Sequence, residues 1–228
     1  MRKSLTIFSL ILIILIVFSQ LLLPTIAAKT LQSRLTMASK ARAMQVQVSA
    51  MPAVLLLFGQ IDQLDIAAEQ AMLGQVRVDS LKLTGRNVSL PVDVMVSGQL
   101  AVRAADELNL SAVVTADDLL ELLQRKVDKL QNAEVTIAPE LITVSGQAKI
   151  LGRMADIRME GQVLEEDGNI YFRMTKLDIK NAILGKALLG NFFGDIMLVD
   201  LKKLSLPVEL DDVLQQDGQV VLTASRHK

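Results

Sequence analysis

The stretch Val88–Ala104 (VSLPVDVMVSGQLAVRA) decides the fold, because an apolar residue or a glycine occupies nine successive even positions. The odd positions between them include Ser89 and Asp93, so one face of the segment is apolar and the other is polar. Such alternation is typical of an antiparallel sheet that is covered on one side. A straight strand of this length would extend about 56 Å, longer than most strands. We therefore expect a bend or a break at Pro91 or Gly98.

The same alternation recurs along the chain and predicts a meander of long strands. A Glu-Glu-Asp-Gly-Asn turn at 165–169 predicts a hairpin. The buried parity changes near Asp79-Ser80, which predicts a bulge. The apolar alternating positions are Met44, Val46, Val48, Leu64, Ile66, Val76, Val78, Leu81, Leu83, Leu108, Leu110, Ala112, Val114, Ile142, Val144, Ile157, Met159, Val163, Ile170, Phe172, Val220, Leu222 and Ala224.

Three segments break this alternation and predict helical structure. Thr115 begins a helix, with Asp118 in a capping-box position and an apolar stripe that includes Leu119, Leu122 and Leu123. Pro52 fits the first turn of a short helix that runs through Phe58 and ends at Gly59. The apolar, glycine-spaced patch 182–198 predicts a short helix followed by a loop.

Composition excludes several function classes. The chain of 228 residues has a formal net charge of −1, which argues against a nucleic-acid partner. It has no cysteine, and its one histidine, His227, is next to last. These counts exclude disulfides and thiol catalysis, and they argue against a histidine-based triad or metal site. We expect no cofactor and no metal.

The N-terminus predicts attachment to a membrane. After Arg2 and Lys3, the nineteen residues Leu5–Leu23 carry no charge, and as a helix they would extend about 28 Å, close to the thickness of a bilayer core. We interpret residues 1–24 as an uncleaved signal-anchor and transmembrane helix; a cleaved signal peptide is the alternative. Either interpretation places the bulk of the chain outside the cytoplasm, in the periplasm or cell envelope.

Residues 25–43 predict a basic amphipathic helix beside the membrane. The first 61 residues contain six basic residues and no acidic one. Spaced basic residues of this kind could rest on anionic headgroups; a solvated stalk that packs on the following domain, 44–228, is equally open. The candidate membrane-surface residues are Lys29, Arg34, Lys40 and Arg42.

No catalytic constellation is evident. The acidic pairs Asp117-Asp118 and Asp211-Asp212 and the acidic run at 165–167 are predicted at a helix start, in a loop and in a hairpin turn, where each has a structural role. No phosphate-binding glycine loop or nucleophile elbow is present. We expect the protein not to be an enzyme.

The fold class that follows is α+β: a long curved antiparallel sheet wrapped around one or two helices, preceded by a transmembrane helix. The apolar face of the predicted sheet has a larger area than the predicted helices can cover. The sheet could pack as a solid core, or it could curl around a cavity that holds an apolar guest. Glycines on the apolar face (Gly98, Gly146 and Gly161) favour either curvature of the sheet or close approach of such a guest.

An ordered set of segments resembles a known family. The segments are 23–28 (LPTIAA), 58–66 (FGQIDQLDI), 76–83 (VRVDSLKL), 115–119 (TADDL), 206–210 (LPVEL) and 217–220 (DGQV). The set resembles the LmeA-like phospholipid-binding proteins of bacterial envelopes. The resemblance implies an extracytoplasmic lipid-binding domain, similar to tubular lipid-binding folds, with no catalytic residues to carry over. It favours the cavity over the solid core.

We therefore expect a membrane-anchored phospholipid-binding protein that holds acyl chains in an apolar groove, for lipid transfer or envelope maintenance. Its partners would be phospholipid and membrane; the alternative is a solid-cored scaffold for another envelope protein. We place the segment 51–59 (MPAVLLLFG) at one end of the groove, as a plug or as a lip on the membrane. The candidate lipid-binding residues are Val54, Leu55, Phe58, Val94, Val96, Leu100, Leu119, Leu122, Leu123, Phe172, Phe192 and Phe193.

Overall fold

The computed structural model describes residues 2–91, 101–126, 130–150, 153–180 and 195–226, and of these it describes residues 2–17, 148–150 and 153 only in their backbone. The elements are α1 (Arg2–Ser39), β1 (Ala43–Ser49), a first 3₁₀ helix (Ala53–Phe58), β2 (Gln60–Leu73), β3 (Val76–Ser89), β4 (Glu107–Thr115), α2 (Ala116–Lys126), β5 (Gln131–Ile137), β6 (Ile142–Ile150), β7 (Arg153–Glu166), β8 (Asn169–Lys180), β9 (Ile196–Asp200), a second 3₁₀ helix (Leu201–Leu204), β10 (Glu209–Gln216) and β11 (Gln219–Ser225).

The described chain is mostly antiparallel sheet, curled like a half-barrel, with few helices. The predicted meander of long strands is confirmed, but the expectation of one continuous sheet is wrong. Six strands pair in the order β1-β2-β3-β4-β11-β10, and five pair in the order β5-β6-β7-β8-β9. Helix α2 stands between β4 and β5 in the chain and packs against β3, β4 and β5. The buried side chains of both sheets nevertheless belong to one apolar cluster.

The opening stretch does not run on as one straight strand. Strand β3 ends at Ser89, and the backbone nitrogen of Ser89 donates a hydrogen bond to the carbonyl of Ala104 in an antiparallel bridge (2.7 Å). The chain therefore reverses direction between these two residues, as the break predicted at Pro91 or Gly98 requires. Residues 92–100, which include Gly98, lie outside the described residues.

The predicted bulge takes an unexpected form. Strands β2 and β3 keep one register along their whole length. In both strands, however, the buried side chains switch between odd and even residue numbers, and the switches face each other across the pair. The ladder omits two facing pairs there, Asp62 with Asn87 and Gln70 with Asp79, and both Asn87 and Gln70 have a positive φ. A bulge adds a residue to one strand only. Here the side chains of both strands change face at the same two positions of the ladder, so the pairing of β2 with β3 is kept while the sheet bends.

Helix α1 runs without interruption from Arg2 to Ser39, with Pro24 inside it. The predicted division into a segment 1–24 and a second helix 25–43 therefore corresponds to one helix. Leu31 and Leu35, one turn apart, are buried against the sheet, where α1 contacts β1 and β2. Among the residues described with their side chains, no helix is both long and apolar enough to cross a membrane.

Helix α2 begins as the capping box predicts. The Asp118 carboxylate accepts hydrogen bonds from the backbone nitrogen and hydroxyl of Thr115 (2.9 and 2.6 Å), and the Thr115 hydroxyl accepts one from the Asp118 nitrogen (3.4 Å). Asp118 is only 6% exposed, and these bonds satisfy its buried oxygen. The cap fixes the helix so that Leu119, Leu122 and Leu123 face the core.

Two predictions about the C-terminal half need correction. The predicted hairpin at 165–169 is present, with Asp167 and Gly168 as its two-residue turn. Asp211 and Asp212, however, lie within strand β10, where a register shift accommodates them, and not in a loop. The expected short helix and loop over 182–198 falls largely outside the described residues, and its described end is strand β9.

The first 3₁₀ helix has the limits that the sequence predicts. Pro52 stands at its N-terminus, and Gly59 ends it in the left-handed conformation (φ 73°), where the Gly59 nitrogen donates to the carbonyl of Leu56 (3.1 Å). The carbonyl of Gly59 in turn accepts a hydrogen bond from the Leu90 nitrogen (2.7 Å). A Cβ at position 59 would lie 2.1 Å from the Leu90 carbonyl oxygen, so a side chain does not fit.

We expect Gly59→Ala to lower the thermal midpoint strongly, because it combines a left-handed alanine with a backbone clash. Each kind of strain typically costs about 1–3 kcal/mol, and 1 kcal/mol corresponds to roughly 2–4 °C in a chain of this size. Gly218→Ala is the matched control: its φ is 80°, but a Cβ there meets nothing within 4 Å. Circular dichroism in detergent micelles gives both midpoints. Equal losses in the two variants would contradict the close approach of Gly59 to Leu90.

Candidate functional site

A cleft of about 530 Å³ opens on the apolar face of the six-stranded sheet, beneath the last turns of α1. This volume is in the usual range for small-molecule sites. The second 3₁₀ helix and the residues that follow it form the opposite wall. The lining residues are Leu35, Ala38, Ser39, Met44, Ile66, Ala68, Ala71, Met72, Leu73, Gly74, Leu81, Leu83, Leu110, Lys203, Leu204, Ser205 and Leu206.

The register of the strands explains the hollow. Met44, Ala68 and Leu81 are cross-strand neighbours on β1, β2 and β3, so their side chains form one row on the same face. The central member of the row is an alanine, whose methyl group leaves space between two long side chains. Beside it, Ala71 adds a second small side chain to the floor.

The rim of the cleft is polar at one side. Lys203 is the one charged residue among the described lining residues, and its side chain is 81% exposed. Its Nζ lies 3.0 Å from Oδ2 of Asp200, and this hydrogen bond lowers the pKa of Asp200. Ser205 holds the rim to the sheet region, because its carbonyl accepts a hydrogen bond from the Val102 nitrogen (3.1 Å). The cleft thus combines an apolar interior with an exposed lysine, ion-paired with Asp200, at its edge.

The structure does not bring the predicted lipid-binding residues together at this cleft. On the first 3₁₀ helix, Val54 and Phe58 are exposed and Leu55 is half-buried. Leu119, Leu122 and Leu123 are buried on α2, and Phe172 is buried in the five-stranded sheet. None of these seven lines the cleft. The other five, Val94, Val96, Leu100, Phe192 and Phe193, lie outside the described residues.

The described glycines on the apolar face of the sheet have protein atoms beside them at the places where we expected an apolar ligand. A Cβ on Gly161 would lie 2.7 Å from Cζ of Phe172, so the phenylalanine ring already occupies that space. A Cβ on Gly146 would lie 3.0 Å from Cβ of Ala133. Gly98 lies outside the described residues. For Gly146 and Gly161, the interpretation as contact points for a guest is therefore wrong: these glycines serve packing within the second sheet.

Sequence reasoning found the floor of the cleft as alternating apolar residues, but it did not identify the cleft itself. The missed residues include Ala68 and Ala71 and the rim residues Lys203 and Ser205. A signal was present in the run Leu64, Ile66, Ala68, where the side chain shrinks while the alternation continues. An alanine at such a position indicates either a close neighbour or a hollow, and only the fold distinguishes them.

The predicted membrane-surface residues are all exposed. Lys29 and Arg34 lie on the outer face of α1, Lys40 follows the helix with a φ of 52°, and Arg42 precedes β1. The backbone nitrogen of Arg42 donates to the carbonyl of Glu69 (3.0 Å), which ties the end of α1 to strand β2. Their side chains are thus available to a surface outside the protein.

Several acidic residues that were considered for chemistry have structural partners. Glu165 accepts a hydrogen bond from the Gly168 nitrogen in the hairpin turn (2.8 Å), and the Asp211 carboxylate accepts one from the Ser225 hydroxyl (2.9 Å). Arg173 binds both Glu166 and Asp195, and its hydrogen bond lowers the pKa of Asp195. Within the described ranges, no group of His, Asp and Glu side chains is placed to hold a metal ion.

Comparison with known proteins agrees with the character of the cleft. A family model described as LmeA-like phospholipid-binding matches residues 20–225, which is most of the chain. No curated protein and no solved structure matches the chain. The matched region contains the whole cleft, from Leu35 on α1 to Leu206 after the second 3₁₀ helix. The chain belongs to the LmeA-like phospholipid-binding family.

Proposed function

We propose that this protein holds the acyl part of a phospholipid in the cleft beneath the last turns of α1. The observation that carries the proposal is an apolar hollow of about 530 Å³ with one lysine among its described lining residues, in a member of a phospholipid-binding family. An acyl chain needs an apolar environment, and each buried methylene contributes about 0.8 kcal/mol. A headgroup phosphate at the rim would meet Lys203.

The proposal extends to where the protein works. The uncharged segment Leu5–Leu23 supports attachment to a membrane, with the sheet domain on the extracytoplasmic side of the cell envelope. There the protein would carry or present phospholipid for transfer or envelope maintenance. The family is a lipid-binding family, and we propose no catalytic role for this chain.

The cleft can be blocked from within by enlarging one side chain. Ala68→Phe would place a ring between Met44 and Leu81, so we expect the variant to lose most of its bound phospholipid. Ala67→Phe is the matched control, because Ala67 is the preceding residue and faces solvent on the other side of β2. Native mass spectrometry of the full-length chain released from detergent micelles would show the phospholipid as added mass.

The full chain is needed for this experiment, because Leu35, Ala38 and Ser39 of α1 form one wall of the cleft. Circular dichroism would check that both variants fold. Undiminished phospholipid in Ala68→Phe would show that the lipid lies elsewhere. Absence of phospholipid from the unmodified protein would favour the alternative, a scaffold without ligand.

The rim lysine is expected to influence which headgroup is held. Lys203→Gln should reduce the preference for anionic over zwitterionic phospholipid by roughly threefold, the scale of one exposed ion pair. Lys202→Gln is the control, since Lys202 is also exposed but is not among the residues that line the cleft. Competition between the two lipid classes, read by the same mass measurement, gives the ratio. An unchanged ratio in Lys203→Gln would remove Lys203 from headgroup recognition.

The extracytoplasmic location has a direct test. Alkaline phosphatase, which is active only outside the bacterial cytoplasm, can be fused behind Ser225 at the end of β11. We expect active phosphatase in the membrane fraction if the N-terminal segment remains attached. Activity in a soluble fraction would indicate that this segment is cleaved, and an inactive fusion would contradict the orientation.

A further inference from the structure

We propose that residues 51–58, which include the first 3₁₀ helix, and residues 18–26 of α1 form one apolar surface, here called the tip, that inserts into the interface of an anionic phospholipid bilayer. This proposal concerns how the domain is seated on the membrane. It goes beyond the cleft and does not depend on the cleft's holding a lipid.

Exposed large apolar side chains are concentrated at the tip. Of eleven such residues in the part of the chain described with side chains, eight lie there, and Met37, Met154 and Leu214 lie elsewhere. Single exposed apolar residues are ordinary, whereas a contiguous group indicates an interaction site. The eight are Phe18, Leu21, Leu22, Ile26, Met51, Val54, Leu57 and Phe58.

The two parts of the tip are joined. The backbone nitrogen of Ala53 donates a hydrogen bond to Oε1 of Gln20 (3.2 Å), so the start of the 3₁₀ helix is fastened to α1. The two elements also contact each other at further positions. Their exposed side chains therefore belong to one surface of the protein.

The 3₁₀ helix is fixed in an orientation that presents apolar side chains outward. Ala53 and Leu56 are buried (0% and 1% exposed), whereas Leu57 and Phe58 are 57% and 66% exposed. Gly59 fastens the end of the helix to Leu90. The packing of the helix itself therefore gives no reason for Leu57 and Phe58 to be exposed to water. Because the helix is held rigidly, inserting it into a bilayer would cost little ordering of the backbone.

Charge along α1 favours a bilayer over a second protein copy as the occupant. The exposed face of α1 is apolar through Leu22 and Ile26 and then becomes basic at Lys29 and Arg34. Leu22 and Lys29 are about 10 Å apart along the helix, which suits side chains in the acyl region and in the phosphate layer, respectively. A second copy would bring the same basic face against itself.

On α1 the charge beside the tip is of one sign, and one carboxylate lies at the base of the tip. Asp62 is the first acidic residue of the chain, and its carboxylate accepts a hydrogen bond from the Met51 nitrogen (2.7 Å) at the base of the tip. Basic residues near a membrane are attracted to anionic headgroups. The uncharged sequence Leu5–Leu23 overlaps the tip at residues 18–23 and belongs to the same helix, so an apolar sequence precedes the tip along the chain.

A single tryptophan tests the proposal, because the chain contains none. We expect Phe58→Trp, in the full chain reconstituted into vesicles of mixed zwitterionic and anionic phospholipid, to emit at shorter wavelength than in water. Phospholipids brominated on the acyl chain should quench most of this emission. Leu214→Trp is the matched control, since Leu214 is 47% exposed on β10, away from the tip, and should stay unquenched.

Attachment by the N-terminal segment alone could bring position 58 near lipid, so a second variant separates tethering from insertion. Adding Leu57→Asp to Phe58→Trp should remove most of the quenching, because a carboxylate opposes entry into the bilayer, whereas adding Leu214→Asp should not. Both positions are exposed, so neither change should disturb folding.

Unquenched emission from Phe58→Trp would overturn the proposal, whether the emission is water-like or is shifted by burial in a second copy. Quenching that survives Leu57→Asp would also overturn it, since that result indicates proximity without insertion. Ala68→Phe should leave the quenching unchanged. The tip and the cleft can therefore fail independently of each other.

Discussion

The apolar face of the six-stranded sheet must be shielded from water, and much of the structure follows from how that shielding is distributed. Leu31 and Leu35 of α1 are buried where this helix contacts β1 and β2, and Leu56 is buried on the first 3₁₀ helix, which contacts α1 and β2. Helix α2 contributes Leu119, Leu122 and Leu123. Where the last turn of α1 ends, shielding is incomplete, and the alanines beneath it leave the cleft.

Helix α1 links the two surfaces to which we assign a role. Gln20 fastens the tip, and Leu35 lines the cleft; these positions are about 22 Å apart along a regular helix. If the tip is seated in a bilayer with α1 upright and Lys29 in the phosphate layer, Leu35 stands about 9 Å beyond Lys29 along the helix. An acyl chain in the cleft would then lie outside the hydrocarbon core of that bilayer, beside its headgroups.

Patterns that act between neighbours in sequence were predictable, and shapes that depend on distant segments were not. Alternation predicted the strands, the pair Thr115 and Asp118 predicted the start of α2, and Asp167-Gly168 predicted a hairpin, because each rests on backbone geometry within a few residues. The cleft depends on the small side chain of Ala68. Only the packing of several elements that are distant in sequence shows whether such a small residue leaves a hollow. Gly161 was misinterpreted because its space is filled by Phe172 from the next strand.

The paired bends of β2 and β3 have a consequence for how this chain can change over generations. The side chains of both strands change face at the same positions of the ladder. A residue gained or lost in β2 between Asp62 and Gln70 would therefore move the buried side chains in the following part of that strand to the solvent face. A matching change in β3 between Asp79 and Asn87 would restore the facing pairs. Insertions and deletions in this hairpin should therefore survive only as matched changes, so that β2 and β3 keep equal lengths between the two bends even where their side chains vary.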